Sequence, residues 1–483
     1  MARNKNIDNT LCNLADIFLY PLLFFVSTSF FIRHLGQSQF GIWMLINTIV
    51  VSLQLFNFGI GSTVLKNIAL YAAQKKHREQ IRVVNNALSM TILLFTFCCV
   101  IGFTGFCFVA YRNLFHITTN LRLLCAKCFI LAGFIVGIKF FEQIFTNYFK
   151  ALEKYNIAAM LGSGNRLCTL TLNLFLLYFL SINIIWILVI MIIVNIFFAI
   201  LGFVLMYRNL RGYQFSFNLK IPKHEASFAL ITWLQSLAII ITFQSDRYLI
   251  VSYFGLIALS YYALIATMFN HLHMCFNAIM PWLSPKFTKL YAQRKNSNEL
   301  YLAARNVVTG ISVLLLIILY LVYPYIFKII LGAQTAHEVK NYTKYFIVFE
   351  LFFVLNIVPT YYFNAVGHER IYLYYTIFFS ALTLCCMFIS IHVFHSTISV
   401  LYGLIAACAI SMYVLRMILS KILSGSYDPI SCAVQIFPSI LIGTFIVCEN
   451  GLVKGFCIIL AIATLYFTNV HGHREKFIML VNS

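Results

Sequence analysis

Apolar residues in this chain run unbroken for about 20 positions at a time, instead of recurring at the short periods of half-buried strands or surface helices. A helix needs about 20 such residues to cross a bilayer. Fourteen stretches of that kind are found, at 16–35, 41–63, 87–109, 129–149, 158–180, 184–207, 228–254, 259–283, 307–331, 345–366, 371–394, 400–419, 432–448 and 452–470. The pattern predicts an all-α polytopic membrane protein of about fourteen helices, arranged as twelve plus two.

Composition agrees with the pattern. Hydrophobic residues make up 61% of the 483 and charged residues 10%, where a soluble domain carries about 25% charged, and the mean hydropathy is +0.88. Spans of ~20 residues leave loops of only about 13 on average, so no soluble domain fits between them. Chemistry must then sit inside the helical bundle, which points to a transporter and away from an enzyme. No Gly-rich phosphate loop followed by Lys and Ser or Thr occurs, so an ATPase of its own is not expected; neither a cofactor nor a metal is predicted.

The net charge of +20 comes from 34 Lys and Arg against 14 Asp and Glu. With the N-terminus inside, 23 of the 34 fall in inner segments and 8 in outer ones, the enrichment expected of cytoplasmic loops. The charge therefore reflects topology and not nucleic acid, and both termini are expected in the cytoplasm. The first stretch is too long for a signal-peptide core and lacks a small-residue cleavage site, so it reads as a retained helix. The fourteen cysteines sit mostly within spans, where they act as small apolar residues; Cys125 and Cys128 read the same way.

Two segments about 220 residues apart resemble each other. Gly36, Phe40-Gly41-Ile42-Trp43, Leu70-Tyr71-Ala72-Ala73 and Asn86 recur as Gly255, Leu259-Ser260-Tyr261-Tyr262, Leu290-Tyr291-Ala292 and Asn306. An offset of six helices is even, so the halves share orientation and are related by an axis along the membrane normal, with substrate expected in a central cleft between them. The predicted division is a six-helix bundle at 1–225, a second at 226–425, and a helix pair with a cytoplasmic tail at 426–483.

The turn Arg33-His34-Leu35-Gly36-Gln37-Ser38-Gln39-Phe40-Gly41-Ile42-Trp43 resembles the first outer turn of bacterial polysaccharide exporters of the Wzx flippase type. Phe58-Gly59-Ile60-Gly61-Ser62, and Asp246-Arg247-Tyr248-Leu249-Ile250 followed by Phe254-Gly255 and Tyr261-Tyr262, are similar to the same family. That family belongs to the superfamily of MATE drug exporters and peptidoglycan lipid flippases. The resemblance implies a flippase of O-antigen and lipopolysaccharide biosynthesis. It would move an undecaprenyl-pyrophosphate-linked oligosaccharide between leaflets of the bacterial inner membrane, with membrane lipids, a coupling H+ or Na+, and a polysaccharide polymerase and chain-length regulator as partners. Many of its members have twelve helices, so the last pair here either departs from that count or marks a fourteen-helix variant.

A charge at the bilayer centre costs about 2.5 to 3.5 kcal/mol on insertion scales, so each one calls for a partner or a wet cavity. Lys139 lies midway along the fourth stretch, with Glu142 three residues on and therefore on the same helix face. The two form either a self-compensating ion pair or a cavity cation with its positioning carboxylate. The fifth stretch spans only if it begins near Ala158, which carries Gly162-Ser163-Gly164-Asn165-Arg166 into the membrane as a broken start of the sort that borders substrate sites. Arg166 then either faces substrate or snorkels to the cytoplasmic surface.

In the second half Asp246 and Arg247 are adjacent and point about 100° apart, so one faces the cleft while the other pairs with a neighbour. Glu350 lies at a similar depth as a candidate partner for Arg247, whereas Asp16 reads as a solvated cap. Lys139, Arg166 and Arg247 are thus the candidate pyrophosphate ligands. Glu142, Asp246 and Glu350 are the candidate ion-pair or coupling carboxylates. His271 and His273 are two apart, which argues against a shared metal. A MATE-like drug or lipid exporter is the alternative, and a membrane polysaccharide polymerase is disfavoured because no long outer loop is present.

Overall fold

In the computed structural model of the chain, residues 2–112, 117–180, 182–210, 212–219, 223–278, 283–293, 297–366, 368–424 and 429–447 are described, and all their elements are helical. Nine helices among the described residues are long and apolar enough to cross a membrane. The predicted stretch at 452–470 and the side chain of Asp16 lie outside the described residues.

Two of the nine each contain two predicted spans. Helix α1 (Ala2–Leu53) and helix α8 (Lys223–Ala278) run through the expected outer turns and bend at one residue. Gly36 has φ 75 and ψ 161, and Gly255 has φ 82 and ψ −177. That region of backbone space is essentially closed to residues with a Cβ. The tight turns read from sequence are therefore single-residue corners, and they stand at the first residues of the two repeated segments. Asn86 and Asn306, matched in the same repeat, are both buried, at 7% and 8% exposure.

The chain divides into two compact units, Met1–Ser260 and Tyr261–Ser483. The first holds α1, α2 (Ile60–Ala73), α3 (His77–Tyr111), α4 (Thr119–Ala151), α5 (Tyr155–Ala159), α6 (Asn165–Leu180), α7 (Ile184–Asn209) and the first arm of α8. Helices α3 and α4 approach to backbone contact: a Cβ on Gly133 would lie 2.5 Å from the carbonyl oxygen of Cys98, and one on Gly102 would lie 2.9 Å from that of Phe129. Small residues permit this in lipid, where helix association depends on close packing and not on exclusion of water.

Beneath that contact an apolar core formed by Val64, Ile68, Val84, Ile144, Phe145, Phe149 and Met206 ties α2, α3, α4 and α7 together. The extended segment after α7 is bound to α3. Asn85 Nδ2 donates to the Gln214 carbonyl at 3.0 Å and the Asn218 amide donates to Ser89 Oγ at 3.0 Å.

The second unit holds the remaining arm of α8, α9 (Leu283–Ala292), α10 (Asn298–Leu331), α11 (Ala333–Phe353), α12 (Ile357–Val366), α13 (Glu369–Phe394), α14 (Ser399–Ser424) and α15 (Pro429–Val447). An aromatic column fills it, with ring centroids 5.4 Å apart for Phe269 and Phe346, 5.4 Å for Phe349 and Phe353, and 6.3 Å for Phe353 and Phe379. Such pairs are worth about 0.5–1.5 kcal/mol each beyond area burial. Cys125 and Cys128 are buried free thiols.

Because the atom facing Gly133 is a backbone oxygen that cannot rotate away, Gly133→Ala is expected to force α3 and α4 apart and to cost about 1–3 kcal/mol. Thermal unfolding of the purified protein in detergent measures this as a lowered Tm. A Tm equal to that of the parent would show that the helices part freely.

Candidate functional site

Polar residues of α1, α4, α6 and α7 converge on one cavity of ≈ 390 Å³. Helix α4 supplies the longest wall. Lys139, Glu142, Gln143, Thr146, Asn147 and Lys150 all line the cavity, and they occupy positions i, i+3, i+4, i+7, i+8 and i+11, which is a single face of a helix. Trp43, Asn47 and Gln54 face them from the second arm of α1 and the short turn after it, and Met191 and Asn195 from α7.

Two helix interruptions border this space. The second span breaks in a 3-10 turn at Gln54–Asn57, followed by Phe58 and Gly59 in left-handed conformation. There Asn57 Oδ1 accepts the Gly59 amide at 3.0 Å while Asn57 Nδ2 donates to Gln143 Oε1 at 3.3 Å. Gly61, the second residue of α2, admits the α4 amides, since a Cβ there would lie 2.6 Å from Asn147 Nδ2. The fifth span carries a π-helical turn at Met160–Gly164 between α5 and α6. Single π turns of this kind re-aim the side chains that follow them and occur often at functional sites. Here Gly162, Asn165, Arg166, Thr169 and Asn173 line the cavity.

Asn165 organises the charges. Its Nδ2 donates to Glu142 Oε2 at 2.7 Å and to Asn195 Oδ1 at 2.7 Å, and Asn195 Nδ2 donates in turn to the Met191 carbonyl at 2.7 Å. Glu142 is thereby held by an amide, while Lys139 has Glu142 and Arg166 as charged neighbours. Arg166 is exposed, with Nε 3.5 Å from the Gly162 carbonyl of the π turn. Three cations, Lys139, Lys150 and Arg166, thus meet one carboxylate, Glu142. Such a site has a net positive charge, amide and hydroxyl donors, and aromatic walls at Phe24, Phe31, Trp43 and Phe140. It can hold an anion by charge-assisted hydrogen bonds and a polar, ring-shaped group by amides and stacking.

Of the six residues singled out from sequence, Lys139, Glu142 and Arg166 come together here. Asp246 and Arg247 are buried in α8, at 5% exposure each, and Asp246 Oδ1 accepts the Arg247 backbone amide at 2.7 Å. Glu350 lies in the second unit, 1% exposed, with its carboxylate 2.7 Å from His273 Nδ1. The sequence suggested Arg247 as the partner of Glu350; in the structure that contact is made by His273, whose ring also lies 4.3 Å from that of Phe353.

Sequence reasoning passed over the amides Asn47, Gln143, Asn147 and Asn195 and the amine of Lys150. The signal for the α4 members was present: polar residues repeating every three to four positions along one apolar helix.

Asn165→Leu removes one donor from both Glu142 and Asn195. It is expected to cost about 1–3 kcal/mol in a thermal unfolding measurement. Combined with Glu142→Gln, the two losses should not add, since the residues share a network. Additive losses would show that the 2.7 Å contact does not couple them.

Comparison with known proteins places the chain. It matches the polysaccharide biosynthesis protein family over residues 7–291. No match was found among curated proteins. Among solved structures, an inward-facing multidrug resistance MATE family transporter of the MOP superfamily is similar, with a TM-score of 0.69 at 13% identity over 87% of this chain and 100% of that one. The lipid II flippase MurJ, in an inward closed conformation, is similar with a TM-score of 0.68 at 14% identity over 97% of this chain and 99% of that one. The chain therefore belongs to the polysaccharide biosynthesis protein family, built on the membrane-transporter fold that MATE exporters and MurJ share.

Proposed function

We propose that the protein is a flippase that moves an undecaprenyl-pyrophosphate-linked oligosaccharide, an O-antigen or related repeat unit, from the cytoplasmic to the periplasmic leaflet of the bacterial inner membrane. The observation that carries this reading is the cavity of the first unit, where Lys139, Lys150 and Arg166 outnumber Glu142 amid amides and aromatic rings. The cavity's cations replace water around a pyrophosphate by one charged hydrogen bond apiece, and the amides suit sugar hydroxyls. A cationic drug would be repelled by the same wall, which disfavours the drug-exporter alternative. Family membership supports a saccharide substrate, and MurJ, whose described activity is lipid II flipping, provides a precedent on this fold.

In this proposal both termini are cytoplasmic, as the loop charges suggest, and bundles at 1–225 and 226–425 alternate access, with the pair at 426–483 outside them. A conformational cycle needs a ligand that binds its two states unequally. Glu142, Asp246 and Glu350 are the carboxylates proposed to hold a coupling proton or sodium ion, and Arg247 is proposed as a further cation for the substrate in the course of the cycle. A polysaccharide polymerase and a chain-length regulator would act on the delivered unit.

Deletion in a polysaccharide-producing host, followed by extraction of lipid-linked units and assay of their leaflet, tests the reading. Single repeat units stranded on the cytoplasmic leaflet are expected. Units that reach the periplasmic leaflet unpolymerised would point to the polymerase, and unchanged polysaccharide with altered drug tolerance to the exporter. In a complemented strain, Lys139→Gln or Arg166→Gln should lower flipping about 10- to 100-fold, the loss of one charged hydrogen bond. If both variants transported normally, the cation assignment would fail.

A further inference from the structure

Helices α1 and α6 carry a second concavity beside the cationic one. Leu23, Val26 and Phe30 of α1 and Leu174, Phe175 and Tyr178 of α6 wall a groove of ≈ 420 Å³. Its surface is apolar: the Ser27 hydroxyl, also in the wall, is spent on the Phe24 carbonyl at 2.8 Å. Rings form much of it, with Phe30 and Tyr178 6.1 Å apart across the two helices and Phe175 and Phe179 4.5 Å apart along α6. The wall is open, with Val26 50%, Phe175 57% and Tyr178 65% exposed.

The groove and the cavity share their helices. On α1 the groove residues at 23, 26, 27 and 30 follow one helical face, and Phe24 and Phe31 of the cavity lie on the face about 100° away. On α6 the cavity residues Arg166, Thr169, Leu170 and Asn173 give way within one residue to Leu174 and Phe175 of the groove. A polar, cationic space and an apolar, aromatic one therefore meet along a single α1–α6 seam. Such a juxtaposition matches an amphiphile with an anionic head and an apolar chain. Isoprenoid chains, with their methyl branches and double bonds, offer rigid surfaces that pack against ring faces, which a saturated acyl chain does less well.

We propose that the α1–α6 groove binds the head-proximal isoprenoid chain of the lipid whose anionic head occupies the cavity, a proposal that rests on the anion-binding reading of that cavity. The chain is thus a recognised part of the ligand and is not left to the surrounding lipid. Burial against protein adds specificity because each apolar group removed from lipid-like disorder into a fixed groove gains packing contacts.

The test uses the full-length protein in nanodiscs of phosphatidylethanolamine and phosphatidylglycerol, with a polyprenyl diphosphate bearing a diazirine on its first isoprene units. Label is expected on α1 and α6, at Val26, Phe175 and Tyr178, displaced by unlabelled polyprenyl diphosphate and not by excess phospholipid. Label elsewhere, or equal displacement by phospholipid, would overturn the proposal. As a second measurement, Val26→Trp, which fills the groove, should weaken binding of the long-chain diphosphate about tenfold while leaving inorganic pyrophosphate binding unchanged. Equal weakening of both ligands, or of neither, would overturn it as well. Label in the groove without any pyrophosphate binding would refute the cavity assignment alone, and pyrophosphate binding with label elsewhere would refute the groove alone.

Discussion

An ammonium group near the middle of an apolar helix must be solvated by something other than lipid, and Lys139 sets that requirement for the first unit. A charge left in hydrocarbon costs several kcal/mol, so polar groups have to converge on it from neighbouring helices. They do so from α4 itself, from α6 through Asn165 and Arg166, and from α1 through Asn47. Each contributing helix in turn must stay apolar on its remaining faces, which fixes how the helices rotate about their axes. The cavity and the packing of the first unit are consequences of one demand.

The same demand explains where regular helix is given up. In a bilayer, irregular backbone is tolerated only where it borders protein or a wet cavity. The 3-10 turn at Gln54–Asn57 and the π turn at Met160–Gly164 both lie at the cavity wall, and their freed backbone groups find partners in Asn57 and Arg166. By contrast, α7 runs unbroken from Ile184 to Asn209 and gives the cavity only Met191 and Asn195. Breaks and polar side chains together make the site; neither would be stable in this setting alone.

Much of this was legible in the sequence, for reasons that differ by level. Span positions follow from hydropathy, which bilayer thickness makes nearly obligatory. The corner at Gly36 could be placed from the repeat with Gly255, but its single-residue geometry could not, because a short loop and an ε-region glycine leave the same pattern. The interruption of the fifth span followed from a length argument around Gly162 and Gly164, although the π turn itself depends on packing. Lys139, Glu142 and Arg166 stood out as charges in apolar surroundings. The amides Asn147 and Asn195 did not, since an uncharged polar residue is common enough in spans to carry little weight singly. The contact of His273 with Glu350, 77 residues apart, is a product of tertiary packing that no local signal announces.

The cationic cavity of the first unit is proposed to hold the phosphates of a lipid-linked substrate. The most direct test is an electron cryomicroscopy map of the protein in nanodiscs with a polyprenyl diphosphate. Phosphate density is expected within hydrogen-bonding distance of Lys139 and Arg166, in the space bounded by Trp43, Asn165 and Asn195. Lipid density with its phosphates bound elsewhere on the protein, and the cavity filled by solvent alone, would contradict it.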